Sequence, residues 1–165
     1  MIGNDVIDLA QSRKESNSKR KGFLEKLFTD EEQVFISNFS QPEVAVWLLW
    51  SMKESAYKIY NRQTKIRAFI PKQLVCVVDF SDVAKASGKV ICNGNVYFTT
   101  SILSSEHIHT IAVDNLDNLD NIAEVENVKI VKDQYGIPYL QLGSKKFQEI
   151  SISHHGRFEK KVLIN

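Results

Sequence analysis

Three charged side chains stand where charge is expensive. From Trp47 to Lys58 the chain reads WLLWSMKESAYK. At helical spacing Val46, Leu48, Leu49, Trp50, Met52, Ala56, Tyr57, Ile59 and Tyr60 join Trp47 in a segment apolar almost all round. Such a helix is expected inside a domain, yet Lys53, Glu54 and Lys58 interrupt it, and buried charges need partners. Glu54 and Lys58 are four residues apart and share a face. They form either an ordinary i,i+4 salt bridge or one side of a site for a metal and a phosphate. The salt bridge is the usual outcome of such spacing, and the apolar surroundings reduce that preference here. Asp5, in MIGNDVIDL, poses a similar problem: strand alternation groups it with Gly3, Ile7 and Leu9, and groups Asp8 with Ile2, Asn4 and Val6. Either Asp serves as a turn or capping residue, or Asp5 is a metal ligand.

The elements that must position these residues are legible in outline. Met1–Leu9 reads as a buried strand. Phe23, Leu24, Leu27 and Phe28 recur at helical spacing after Gly22, and Thr29 with Glu32 forms a capping box that opens the next helix. Pro42 suits the first turn of the central helix, and Pro71 excludes its continuation. Strands follow at Leu74–Phe80, at Lys89–Thr100 with an Asn93-Gly94 hairpin inside it, and at His107–Val113. His107 and His109 share a face without a third zinc ligand nearby, so an ordinary edge position is expected. DNLDNLDN (114–121) lacks the glycine and closing glutamate of a calcium loop and reads as an exposed acidic connection. Short strands follow at Val128–Val131 and Tyr139–Leu142. In EISISHHGRFEKKVLIN, Ile150, Ile152 and His154 share one strand face, while Ser151, Ser153 and His155 share the other. Gly156 breaks that strand before a final one at Val162–Ile164.

Composition limits the possible classes. The 165 residues suffice for one domain, and 43% hydrophobic with 25% charged residues is ordinary for a soluble protein. No run of about 18 apolar residues is present. The acidic N-terminus does not read as a signal peptide, so a cytoplasmic protein is expected. Cys76 and Cys92 lie in strand-like runs without metal-site spacing and read as buried thiols. The net charge of +1 conceals a basic segment from Arg13 to Lys26 and an acidic one from Asp114 to Glu126. A nucleic-acid binder fits poorly, because no groove-reading motif accompanies the basic segment.

Three separated elements share a pattern: GND at residues 3–5, WSMKESAYK at 50–58 and SISHHGRF at 151–158. Together they resemble the 4′-phosphopantetheinyl transferase superfamily, with its G-x-D, W-x-x-K-E-x-x-x-K and S-x-S-H elements. Their order, with S-x-S-H last, is similar to that of the small holo-acyl-carrier-protein synthase branch. GIPYL and KLFTDEE also match family habits, while the region between about Phe80 and Lys129 lies outside the resemblance.

The resemblance implies Mg²⁺-dependent transfer of phosphopantetheine from coenzyme A to a serine of an acidic apo carrier protein, releasing adenosine 3′,5′-bisphosphate. It implies Asp5 and Glu54 as metal carboxylates, with Asp8 as a second acidic position that binds the metal directly or through water. Lys58 matches the phosphate-binding lysine, and Glu54 is a candidate general base. His154 matches the histidine that touches the coenzyme A phosphates, with Ser153 orienting it and Lys53, a neighbour in the motif, as a further cofactor-binding residue. Arg13, Lys14, Lys19, Arg20 and Lys21, with Phe23 as an apolar anchor, are the implied carrier-docking residues. The expected fold is α+β: a single domain (1–165) with an antiparallel sheet packed against a long central helix. A homo-oligomer, most simply a trimer, is expected to complete the coenzyme A cleft. The alternative is a non-catalytic carrier-protein or nucleotide-binding module that retains the fold.

Overall fold

Strand β1 (Ile2–Asp8) is buried along its whole length, because other elements cover it on both faces. The computed structural model describes residues 1–165. On one face of β1 lies α4 (Pro42–Thr64), the long helix anticipated from the sequence. The approach is so close that a Cβ on Gly3 would come 2.0 Å from the Ser55 carbonyl oxygen. Only glycine fits there. On the other face Ile2 packs with Val113 and Val162.

β1 is the outer strand of a five-stranded antiparallel sheet of order β1-β5-β4-β3-β2, formed with β2 (Val75–Ser81), β3 (Lys85–Cys92), β4 (Asn95–Leu103) and β5 (His107–Val113). Asn93 and Gly94 take φ values of 49° and 80° in the β3–β4 turn, as a tight hairpin requires. α4 crosses this sheet, and Leu48, Leu49, Met52, Ala56 and Ile59 are buried in one cluster with Val90, Tyr97, Ile108 and Ala112. Each Leu, Ile, Val or Met among them contributes roughly 1.5–3 kcal/mol by burial. Pro42 occupies the first turn of α4, and Lys65 closes it in the left-handed region at φ 61°. Before it, α1 (Leu9–Glu15), α2 (Phe23–Leu27) and α3 (Asp30–Asn38) follow β1, and α3 carries the expected Thr29–Glu32 capping box.

The last third of the chain builds two three-stranded sheets. One has the order β10-β11-β6 and is formed by β6 (Ile122–Glu124), β10 (Ser151–His155) and β11 (Phe158–Ile164). The other has the order β7-β8-β9, from β7 (Ile130–Lys132), β8 (Pro138–Gln141) and β9 (Phe147–Glu149). α1, β6 and β9 are elements without a strong sequence signal; each has seven residues or fewer and borrows stability from its neighbours. The acidic connection becomes a short 3₁₀ segment, Leu116–Asn121. Both cysteines are buried free thiols, and no helix is long and apolar enough to cross a membrane.

The expectation of an edge position for His107 and His109 is corrected. β5 lies between β1 and β4, and His109 is 4% exposed with Nε2 3.3 Å from Asn4 Nδ2. Burial pulls the His109 imidazole down from 6.5 to about 4. Between those two values the unfolded chain binds a proton that the folded protein refuses. The stability involved is fully present above pH 6.5 and is lost as pH falls through about 4. Urea titrations across that window should show a loss on the order of 3 kcal/mol that His109→Gln flattens. An unchanged pH slope in the variant would contradict this role.

Candidate active site

The outer edge of β1 has no backbone partner strand, yet its outward donors are satisfied. Asn4 N–H donates to Ser151 Oγ at 2.8 Å, Val6 N–H to Ser153 Oγ at 2.9 Å and Asp8 N–H to His155 Nδ1 at 2.9 Å. Every second residue of β1 thus meets every second residue of β10. This two-residue repeat is the reason Ser151, Ser153 and His155 must share a strand face. Lys58, on α4, reaches the same seam: its Nζ donates to Asn4 O at 2.5 Å and to Ile152 O at 3.1 Å.

Asp5 and Glu54 meet beside this seam, in the wall of a cleft of about 340 Å³. Asp5 Oδ1 accepts from Ser153 Oγ at 3.1 Å, and Oδ2 is buried without a partner. Burial raises the Asp5 pKa, while Lys58 and the Ser153 and Ser51 hydroxyls pull it back. Burial and the Asp5 charge push Glu54 up to about 7. Lys58 moves the other way: burial lowers its pKa, against the pull of both carboxylates. Glu54 and Lys58 form no ion pair within 4.0 Å, so the simple i,i+4 salt bridge is absent. Two carboxylates lining one cleft, with the Asp5 charge raising the cost of ionising Glu54 and Asp5 carrying an orphaned oxygen, fit a bound cation. No third protein ligand joins them, so such an ion would draw its remaining oxygens from phosphate and water.

Phe23, Leu27, Trp47 and Trp50 give the cleft an apolar part of its lining, and Phe23 stands edge-on to Trp47 at 6.4 Å. His154 is exposed at the rim. Arg13, Lys14, Lys19, Arg20 and Lys21 are exposed on and after α1. A polar groove bounded by Arg13, Lys14 and Lys19 adjoins the cleft through Glu15 and Ser16, and Glu43 holds Arg13 at 3.0 Å.

Two expected site residues lie elsewhere. Asp8 caps α1 through the Ala10 and Gln11 N–H groups and takes three more hydrogen bonds from Arg157, through N, Nε and Nη2. These contacts hold its carboxyl far below the usual range. They leave no lone pair facing the cleft, which corrects its reading as a metal ligand. Gly156, at φ 55°, allows this contact, since a Cβ there would come 2.5 Å from Asp8 Oδ2. Lys53 is fully buried on the far side of α4. Its Nζ lies 2.8 Å from both oxygens of Glu32 and donates to Pro71 O and Leu74 O. The 100° step between neighbouring helix positions turns it away from Glu54, so its cofactor-binding reading is corrected too. Glu15 carried no motif signal, and Arg157 stands inside SISHHGRF but outside its S-x-S-H pattern. Glu15 lines the cleft and lies 3.0 Å from His155 Nε2, and only the folded chain brings it there.

The family model described as the 4′-phosphopantetheinyl transferase superfamily matches residues 1–114. The chain belongs to that superfamily. The match includes Asp5, Glu54 and Lys58 and extends through β3 to β5, part of the region the sequence motifs alone left uncovered. It stops before the β10 seam. No curated protein matches the chain.

In this transferase Lys53 acts as a structural ion rather than a ligand contact. Lys53→Met strands a buried Glu32 carboxylate that also receives the Thr29 and Cys76 N–H groups. Chemical denaturation should register a loss of about 3–5 kcal/mol. Replacing Glu32 by Gln as well should recover part of it. A neutral single substitution would refute the structural role.

Proposed function

We propose that this superfamily member transfers 4′-phosphopantetheine from coenzyme A to a serine hydroxyl of an acidic apo carrier protein, with Mg²⁺ as the metal, in the manner of a holo-acyl-carrier-protein synthase. Membership implies phosphopantetheinyl transferase activity. The observation that carries the finer reading is the Asp5–Glu54 pair: two carboxylates in one cleft, one with an unpartnered oxygen, beside an ammonium that forms an ion pair with neither.

Asp5 and Glu54 would hold the ion, which when bound neutralises the diphosphate charge. Lys58 is a compact point charge whose ammonium is anchored to two strand carbonyls, with its third N–H suited to a phosphate oxygen as negative charge builds on the leaving bisphosphate. Glu54, in the wall of the cleft, is the candidate acceptor for the serine proton. The serine oxygen attacks the phosphorus bearing the pantetheine arm, and the P–O bond to the adenosine bisphosphate breaks. The apolar wall of Trp47, Trp50 and Phe23 excludes water from that step. His154 reaches the coenzyme from the rim, and Ser153 positions Asp5 through their hydrogen bond. The exposed cations from Arg13 to Lys21 suit an acidic carrier, and that docking weakens with salt.

The oligomer we propose, a trimer, is supported by an apolar face that the C-terminal strands leave bare. Val77, Ile91, Val96 and Ile102 are all exposed on β2, β3 and β4 of the five-stranded sheet. Light scattering should give a multiple of the chain mass, and a fully active monomer would refute this assembly.

Incubation with coenzyme A, magnesium and an apo carrier should add about 340 Da to the carrier, the mass of the transferred arm. Glu54→Gln and Asp5→Asn should each abolish that shift while leaving the circular dichroism spectrum unchanged. Coenzyme A binding without any mass shift would identify a non-catalytic binding module instead.

A further inference from the structure

The segment that leaves the central helix, Lys65 to Ile70, mixes bare cations with bare apolar side chains. It exits α4 at Lys65, in the left-handed region, and reaches a 3₁₀ turn at Pro71–Gln73 without forming helix or strand. Between Glu54 and Asp79 the chain carries no acidic residue. Lys65, Arg67 and Lys72 are exposed, and none of them belongs to an ion pair. Interleaved with them, Ile66 and Ile70 are 47% and 45% exposed.

This strap is tied down at several points. Asn61 Nδ2 donates to Ile66 O at 2.7 Å, and the Arg67 guanidinium donates to Tyr135 O. The Lys65 ammonium lies 5.4 Å from the centre of the Tyr135 ring. Phe69 turns inward and stands edge-on to Trp50 at 5.4 Å and to Tyr57 at 5.0 Å. Those two rings flank Glu54 on one face of α4. Phe69 therefore hooks the strap beside the cleft that Trp50 and Glu54 line. Beyond the strap, Lys72 Nζ donates to the Glu25 carbonyl at 3.3 Å, on α2, whose Phe23 and Leu27 line the same cleft. The strap thus adjoins the basic segment from Arg13 to Lys26, although α3 and α4 separate the two in the chain.

Cations alone would suit any polyanion. Fixed, exposed isoleucines between them gain only from a partner that also brings apolar surface, which an acidic protein does and a polyphosphate does not. We infer that the strap is a second docking surface for the acidic apo carrier, with Lys65, Arg67 and Lys72 steering it and Ile66 and Ile70 as apolar contacts. The inference rests on the reading of the chain as a carrier-modifying transferase. A carrier whose serine enters the cleft beside Glu54 comes against whatever borders that cleft, and Phe69 puts the strap there.

The test measures transfer while the apo carrier and coenzyme A are varied separately. The paired substitution Ile66→Ser with Ile70→Ser should raise KM for the carrier about tenfold, with kcat and KM for coenzyme A held within about twofold. Lys72→Glu should do the same at low salt, and its effect should shrink as salt rises. No change in KM for the carrier, equal changes for both substrates, or a change for coenzyme A alone overturns the surface. A lower mass of the paired variant in light scattering would make the strap an interface between copies and overturns it too. Absence of transfer by the unaltered protein would instead refute the transferase reading. Calorimetric titration with the apo carrier then decides the surface alone. Binding that both variants weaken sustains it, and binding that they leave unchanged, or no binding, overturns it.

Discussion

The structure depends on how the free edge of one strand is satisfied. β1 lies at the end of its sheet but in the middle of the molecule, so its outward N–H groups face protein rather than water. Buried backbone donors must be paired. A regular neighbouring strand would pair them with carbonyls. Here Ser151, Ser153 and His155 do so with side chains, and Lys58 takes the Asn4 carbonyl. Side-chain pairing holds β10 farther from β1 than a sheet partner would sit. That spacing leaves Asp5 reachable from the cleft, while its backbone stays locked.

The central helix divides its charges by direction. Lys53 faces Glu32 and joins α3, α4 and the start of β2 into one unit. Glu54 and Lys58 face β1, where Glu54 lines the cleft with Asp5 and Lys58 reaches the seam. A fully satisfied ion pair on one side gives the helix a fixed rotation. The strained charges on the other side are then held in register with Asp5. Strain of this kind is expected where a ligand supplies the missing countercharge.

The contribution of the chain beyond residue 114 follows from the same geometry. The matched region supplies the carboxylates and Lys58, but β1 would have an open edge without β10, and Arg62 would lose the Pro138 and Ile150 carbonyls that hold it. The C-terminal strands therefore close the seam and hold Arg62 in place. They also cover only the β1–β5 side of the sheet, leaving the β2–β4 side apolar and exposed.

Much was legible in the amino-acid order because it is carried by local rules. The 3.6-residue apolar repeat gave α4, the capping box opened α3 and Asn93-Gly94 turned β3 into β4. The triad of Asp5, Glu54 and Lys58 stood out because charge in apolar runs is costly whatever the fold. Other features needed the folded chain. Whether Asp8 faced a metal or capped a helix depended on Arg157, 149 positions away, and on a glycine that lets it approach. The fate of Lys53 depended on Glu32 from another helix, and the two histidines at 107 and 109 became central only when β1 paired with β5. The short strands β6 and β9 have too few residues for a periodic signal and exist through their partners. The sequence by itself determined which side chains carry chemistry, since residue type and spacing are local. Only the tertiary structure decided which of those charges are already satisfied, since a partner distant in the chain can neutralise any one of them.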